Sequence, residues 1–122
     1  MARRANNSVL LVDDDADSRE ALSWLLNECG VSTVQAGNGK EALQQLRCAP
    51  PPALILLDLQ MPIMDGWTFL QHWSEDREMS HIPVVVMTGG NLVQQCEVIP
   101  VVHKPLQLTD LEPFLHRYCG IR

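Results

Sequence analysis

The sequence has no long hydrophobic run. Its longest apolar stretches, around Ala53 to Leu57 and Pro83 to Met87, are the size of a β-strand, far short of the roughly 20 residues that cross a bilayer. No transmembrane segment and no membrane partner are expected. The N-terminus, MARRANNS, carries two arginines, but no apolar stretch follows them before the acidic cluster to form the core of a secretion signal. A cytoplasmic location is therefore expected. Positive charge is scarce as well: 9 Lys and Arg stand against 15 Asp and Glu, a formal net charge of −6. Phosphate backbones select Lys and Arg patches, so protein partners are expected rather than nucleic acid. The cysteines Cys29, Cys48, Cys96 and Cys119 form no CxxC pair and no Cys/His ligand spacing, and a chain of this length does not need disulfides to hold together. All four are expected to be free thiols. Internal repeats and linkers are also missing. What remains, 122 residues of which 46% are apolar and 20% charged, is the composition of one ordinary globular domain.

Five short apolar segments rich in β-branched residues or leucine recur along the chain: Ser8 to Asp13, Val31 to Ala36, Ala53 to Asp58, Pro83 to Thr88 and Ile99 to His103. Helix-like stretches separate them, and alternation of this kind predicts βαβ units and a parallel sheet. After the first strand, Asp17 with Glu20 offers a helix cap. Leu22, Leu25, Leu26 and Cys29 follow at helical spacing, and Gly30 stops the helix. Asn38 with Glu41 repeats the cap ahead of Ala42, Leu43 and Leu46, and Pro50 to Pro52 ends that helix. Asp65 caps a third helix carrying Phe69, Leu70 and Trp73. Thr109 with Glu112 predicts a capping box for the last, with Pro113 in its first turn and Gly120 at its end. Trp24, Trp67 and Trp73 lie on helical stretches, where core packing is the expectation; His72, His81 and His116 read as surface or helix residues. The alternations use up the chain from Ser8 onward, so residues 1–7 are expected to be a tail and 8–122 the domain, with no output domain in the sequence.

The fourth crossover is the irregular one. Only the ten residues Gly89 to Val98 lie between the fourth and fifth strands, near the lower limit for a parallel connection. A helix over Asn91 to Glu97 would cover about 10 Å while a five-residue strand runs about 16 Å. A short, distorted or partly extended helix is expected there.

In an open parallel sheet, ligands bind outside the carboxyl ends of the strands. Strand one ends in Asp13-Asp14-Asp15, strand three in Asp58, strand four in Thr88 and strand five in His103-Lys104-Pro105. Carboxylates brought together repel unless a cation neutralises them. Asp13, Asp14 and Asp58 therefore ask for a divalent metal, and all-oxygen ligation favours Mg²⁺. Lys104 and the Thr88 hydroxyl supply a point charge and a donor for an anion beside it. The constellation reads as a phosphoryl site with an aspartate nucleophile. Asp15 and Asp17 read as helix caps, and His103 alternates away from the rim.

The segments LLVDDDADSRE, LILLDLQMPIMDG, MTG and HKP, in this order and each at a strand end, resemble the response-regulator receiver domain. The resemblance covers nearly the whole chain. It implies a flavodoxin-like (βα)5 fold, doubly wound, with five parallel strands in the order 2-1-3-4-5. It implies Asp58 as phosphoacceptor, Asp13 and Asp14 as the acidic pair that holds Mg²⁺ with Asp58 and the Gln60 backbone carbonyl, and Thr88 and Lys104 as the groups that contact the phosphoryl oxygens. Pro105 after the lysine is often cis in this family. The implied activity is that of a signalling domain rather than an enzyme acting on a separate substrate. It takes a phosphoryl group from a histidine kinase or histidine phosphotransfer protein in a bacterial-type two-component phosphorelay, catalysing its own phosphorylation and dephosphorylation.

Some positions depart from the family pattern. The aromatic residue usually found three positions before the lysine is Val101 here, so the usual rotamer switch is absent. Gln60 and Gly90 occupy the two positions that tune access of the hydrolytic water. Phosphorylation is expected to survive these changes, with an unconventional output through the face of the fourth crossover, fifth strand and last helix. Two other readings are open at this level. One is a pseudo-receiver that keeps the fold as a protein-interaction module without phosphate switching, suggested by Val101 and the short crossover. The other is a small phosphatase of the haloacid-dehalogenase type, since Asp13 and Asp15 fit its DxD nucleophile motif.

Overall fold

A computed structural model of the chain describes residues 8–59, 61, 64–89, 99–104 and 106–120. In chain order the elements are β1 (Val9–Val12), α1 (Ala16–Glu28), β2 (Thr33–Ala36), α2 (Gly39–Cys48), β3 (Leu54–Asp58), α3 (Gly66–Glu75), a single 3₁₀ turn (Met79–His81), β4 (Val84–Thr88), β5 (Val101–His103) and α4 (Leu108–Cys119). The strands form one five-stranded sheet in the order β2-β1-β3-β4-β5, and every pair is parallel. This is the doubly wound, flavodoxin-like arrangement that the sequence resemblance implies. Of the sequence expectations, Gln60, Gly90, Pro105, Cys96, the 1–7 tail and the irregular helix over 91–97 lie outside the described residues.

The three inner strands are buried along their whole length, which is why they read as continuous apolar runs rather than as an alternating pattern. Successive side chains point to opposite faces, and each face has its own core. Leu10, Val12, Ile55, Leu57 and Val86 pack with Ala42 and Leu43 of α2 and Phe69 and Leu70 of α3. Val9, Leu11, Leu56, Val85 and Met87 pack on the other side with Leu22 and Leu26 of α1 and Leu111 and Leu115 of α4. Burying one such aliphatic side chain stabilises the fold by about 1.5–3 kcal/mol, so the two faces together fix both the register and the position of the strand ends.

The helix caps show where sequence and structure part. Asn38 and Asp65 cap α2 and α3 as expected, accepting from the Glu41 and Thr68 N–H groups. At α1 the cap is Asp15 and not Asp17: its carboxylate accepts from the Asp17 N–H and the Ser18 hydroxyl. Of the two aspartates read as caps, Asp15 is the one at the cap position, in extended backbone with φ −90° and ψ 109°. Asp17 falls in the first turn, where its charge opposes the helix dipole favourably. In α4 the capping box is made by Gln107 and Asp110, not by Thr109 and Glu112. The helix therefore starts at Leu108, and Pro113 lies past the first turn instead of within it. Gly30 and Gly120 close α1 and α4 in left-handed conformation, at φ 86° and 68°, which favours glycine.

The two edge strands are shorter than the sequence pattern predicts. β2 begins at Thr33 rather than Val31, and β5 at Val101 rather than Ile99. Pro100 has no N–H to give to a ladder, although its carbonyl accepts from Val86. Trp24 also departs from expectation. It is 63% exposed, because it stands two residues from both Leu22 and Leu26 and so about 200° around α1 from the buried stripe. Trp67 and Trp73 do pack on the core, and the Trp73 indole N–H donates to the Ile82 carbonyl at 3.0 Å. Among the described residues Cys29, Cys48 and Cys119 are free thiols.

One close approach carries the site. Gly66 opens α3 with its N–H donating to the Leu59 carbonyl at 2.9 Å, and a Cβ there would stand 2.6 Å from Leu59 Cα and 2.8 Å from the Asp58 carbonyl oxygen. Both neighbours are backbone and cannot rotate away. Gly66→Ala is expected to destabilise the domain by about 1–3 kcal/mol in urea unfolding, as overpacking does. The thiols give a second test: burial pushes the Cys119 thiol above its ordinary pKa, while Cys48 is exposed. At mildly alkaline pH, iodoacetamide is expected to alkylate Cys48 well before Cys119, as peptide mass mapping of a time course will show.

Candidate functional site

The sheet register carries four strand ends to one rim. Val12 lies beside Ala36 and Leu57, Asp58 beside Met87, and Thr88 beside His103. The ladder continues one step past the strands, with the Asp13 N–H donating to the Ala36 carbonyl at 3.1 Å and the Lys104 N–H to the Thr88 carbonyl at 2.8 Å. Asp13, Asp58, Thr88 and Lys104 thus sit on backbone held by parallel pairing rather than on free loops. His103 is exposed and turned from the rim, as its alternation predicts, and His72, His81 and His116 are exposed too.

Three of these polar side chains are almost fully buried: Asp13 at 3%, Asp58 at 6% and Thr88 at 4% of their possible exposure. Asp14 is exposed. One carboxylate oxygen from each of Asp13, Asp14 and Asp58 lies within 4.8 Å of the others. Lys104 enters the same cluster, its ammonium 2.8 Å from Asp13 Oδ2 and 3.5 Å from Asp58 Oδ2. Burial alone would lower the Lys104 pKa; the hydrogen bond its ammonium donates to Asp13 and the charges of Asp58 and Asp13 outweigh it and hold the group above its ordinary value. Lys104 stays charged. Three carboxylates gather around this one ammonium among the described residues, and the donors that converge are oxygens. That donor set fits a small, hard divalent cation such as Mg²⁺, with Asp13, Asp14 and Asp58 as the side chains that could hold it.

Asp13 is fixed from three sides. Its Oδ2 takes the Lys104 ammonium, its Oδ1 accepts from the Asp15 N–H at 3.0 Å, and its main-chain carbonyl accepts from Arg19 Nη1 at 2.6 Å. Arg19 is the residue at this site that the sequence did not single out. Its second contact, Nε to Gln35 Oε1 at 3.1 Å, bridges to β2 and has no counterpart in local spacing. Asp15 points elsewhere, its carboxylate taken up by the α1 cap, so Asp13 and Asp15 do not converge as a DxD pair would need. Val101 is half-buried and packs against the core face that carries α2 and α3. A groove of about 500 Å³ opens beside Asp13 and Lys104, between Leu22 and Leu25 of α1 and Leu106 after β5.

No helix among the described residues is long and apolar enough to cross a membrane. Comparison with known proteins agrees with the geometry of the rim. The family model of the response regulator receiver domain matches residues 9–113. The response regulator Rre1 of Synechocystis is 40% identical over 112 residues, which cover 86% of this chain and 48% of that protein. The two-component response regulator ORR5 of rice is 33% identical over 115 residues, covering 89% of this chain and 86% of its own length, so the relatives are not confined to bacteria. The crystal structure of a response regulator receiver protein from Pseudomonas putida superposes with a TM-score of 0.84 at 26% identity, over 96% of this chain and 99% of that one. The chain spans about half the length of Rre1 and 10% of the sensor kinase LuxN, which it also matches. A parallel sheet in this order, with a carboxylate cluster and a lysine at its rim and a family match over nearly the whole length, leads to one conclusion: the chain belongs to the response regulator receiver domains of two-component systems.

Proposed function

We propose that this receiver accepts a phosphoryl group on Asp58 in a Mg²⁺-dependent reaction and passes on its state through protein–protein contacts. The observation that carries the reading is the convergence of Asp13, Asp14, Asp58 and Lys104 on one rim. Receiver domains work with histidine kinases or histidine phosphotransfer proteins, and the donor expected here is a phosphohistidine on such a partner. An Asp58 carboxylate oxygen attacks the phosphorus, the new O–P bond forms as the N–P bond breaks, and the histidine nitrogen leaves with its electron pair. Asp13 and Asp14 with Asp58, and the Gln60 carbonyl as the family resemblance implies, would hold Mg²⁺. The bound ion supplies charge neutralisation for the transferring group.

The chain's own residues do the rest. Lys104 moves its ammonium from the carboxylates to a phosphoryl oxygen, which it can do while anchored to Thr88 by its N–H. The Thr88 hydroxyl, at the end of β4, donates to another phosphoryl oxygen. The groove between α1 and Leu106 leaves one side of Lys104 and Asp13 open to a donor. Hydrolysis of the acyl phosphate returns the carboxylate and inorganic phosphate, so the mark is temporary. With Val101 in place of the usual aromatic partner, movement of Thr88 reaches the partner surface by repacking of the β4–β5 edge rather than by an aromatic rotamer.

Intact mass spectrometry after incubation with Mg²⁺ and acetyl phosphate tests the reaction. The chain is expected to gain one phosphoryl group, and Asp58→Asn or EDTA to abolish the gain; an unmodified chain that nonetheless binds a kinase partner would instead support a receiver that acts without phosphate. Lys104→Met separates binding from catalysis. Phosphoryl gain should slow about a hundredfold, while Mg²⁺ affinity in a calorimetric titration should not weaken, because the substitution removes a positive charge from beside the cation.

A further inference from the structure

Arg19 lies in the first turn of α1 and sends its guanidinium back across the start of its own helix. Nη1 donates to the Asp13 carbonyl at 2.6 Å and Nε to Gln35 Oε1 at 3.1 Å. Gln35 is tied down in turn, its carbonyl accepting from Gln45 Nε2 of α2 at 2.8 Å. The guanidinium therefore clamps the end of β1 to a β2 residue that α2 already holds. We infer that Arg19 is a positioning residue of the Mg²⁺ site, acting through the peptide unit that joins Asp13 to Asp14; the inference rests on reading Asp13, Asp14 and Asp58 as the metal ligands.

The physical reason is the planarity of that unit. The carbonyl of Asp13 and the N–H of Asp14 turn together, so a donor that fixes the carbonyl fixes where the Asp14 main chain begins. The Asp13 N–H makes the last ladder bond of β1, to the Ala36 carbonyl, and the Asp13 carbonyl beyond it takes the guanidinium. Asp13 and Asp58 are buried and held by Lys104. Asp14 is exposed, and its carboxylate meets the other two only if the turn leaves the strand at one angle. A bond from a charged donor is shorter and stronger than a neutral one, as the 2.6 Å contact is. A planar guanidinium spans the acceptor just past β1 and the one on β2 with donors held in a fixed fork, which the rotatable point charge of an ammonium does not reproduce.

Calorimetric titration of the whole chain with Mg²⁺, beside melting temperatures, tests this. Arg19→Met is expected to raise the Mg²⁺ Kd about tenfold, as loss of a group that orients metal ligands does. Arg19→Lys should recover part of the loss, and Gln35→Leu should show a smaller one. Leu26→Ala, a buried change on the same helix that touches neither Asp13 nor Arg19, should lower the melting temperature and leave the Kd as it was. A folded Arg19→Met with the unsubstituted Kd overturns the assignment, and so does a Leu26→Ala that weakens Mg²⁺ as much. Where Arg19→Met does not fold, unchanged Kd values in both Arg19→Lys and Gln35→Leu overturn it equally. No Mg²⁺ binding by the unsubstituted chain overturns the metal reading, and the Arg19 role falls with it.

Discussion

Carboxylates buried side by side repel, and among the described residues one ammonium, that of Lys104, contacts both. Asp13 and Asp58 leave adjacent strands into the same corner, each almost out of solvent, and Lys104 arrives from β5 to touch both. The lysine can do so because its main chain is bonded to Thr88 at the end of the neighbouring strand. Its one ammonium faces a cluster of three carboxylates. The cluster that results is rich in oxygen donors, a state that favours a divalent cation, and the phosphoryl transfer proposed for Asp58 would give Lys104 a second partner.

The sheet is what makes such a corner possible. Parallel register delivers the ends of β1, β3, β4 and β5 to one level, and two separate apolar faces hold the strands against slippage. Around that frame, local devices set finer positions. Gly66 lets α3 approach the Asp58 main chain, Asp15 starts α1 two residues after Asp13, and Arg19 returns from that helix to the Asp13 carbonyl. The functional side chains stand on strand ends, while the residues that aim them come from helix starts.

Much of this was legible in the sequence, for identifiable reasons. Strand ends are visible where an apolar run stops at a polar residue, so Asp13, Asp58, Thr88 and Lys104 could each be read from local pattern, and their meeting follows from the rule that parallel strands end on one rim. Caps were less legible. Asp15 and Asp17, like Gln107 and Thr109, stand two residues apart and are told apart as caps by backbone conformation, which composition does not encode. Trp24 was misplaced because an aromatic on a helix is usually buried, and only the phase of the Leu22 and Leu26 stripe turns it outward. Arg19 could not be found at all: one partner lies on β2, 16 residues away, and the other is the main chain six residues back across the turn before α1, and no short-range spacing marks a guanidinium that bonds a main-chain carbonyl.

The phosphoryl chemistry proposed for Asp58 depends on the carboxylates of this rim forming a metal site. Diffraction data collected at the manganese edge from crystals of the chain soaked in Mn²⁺, which takes the same oxygen ligands as Mg²⁺, address it directly. An anomalous peak among Asp13, Asp14 and Asp58, with the Lys104 ammonium no longer bonded to Asp13, is the predicted result. A peak elsewhere on the acidic surface, or Lys104 still closed on both carboxylates with no ion beside them, would contradict it.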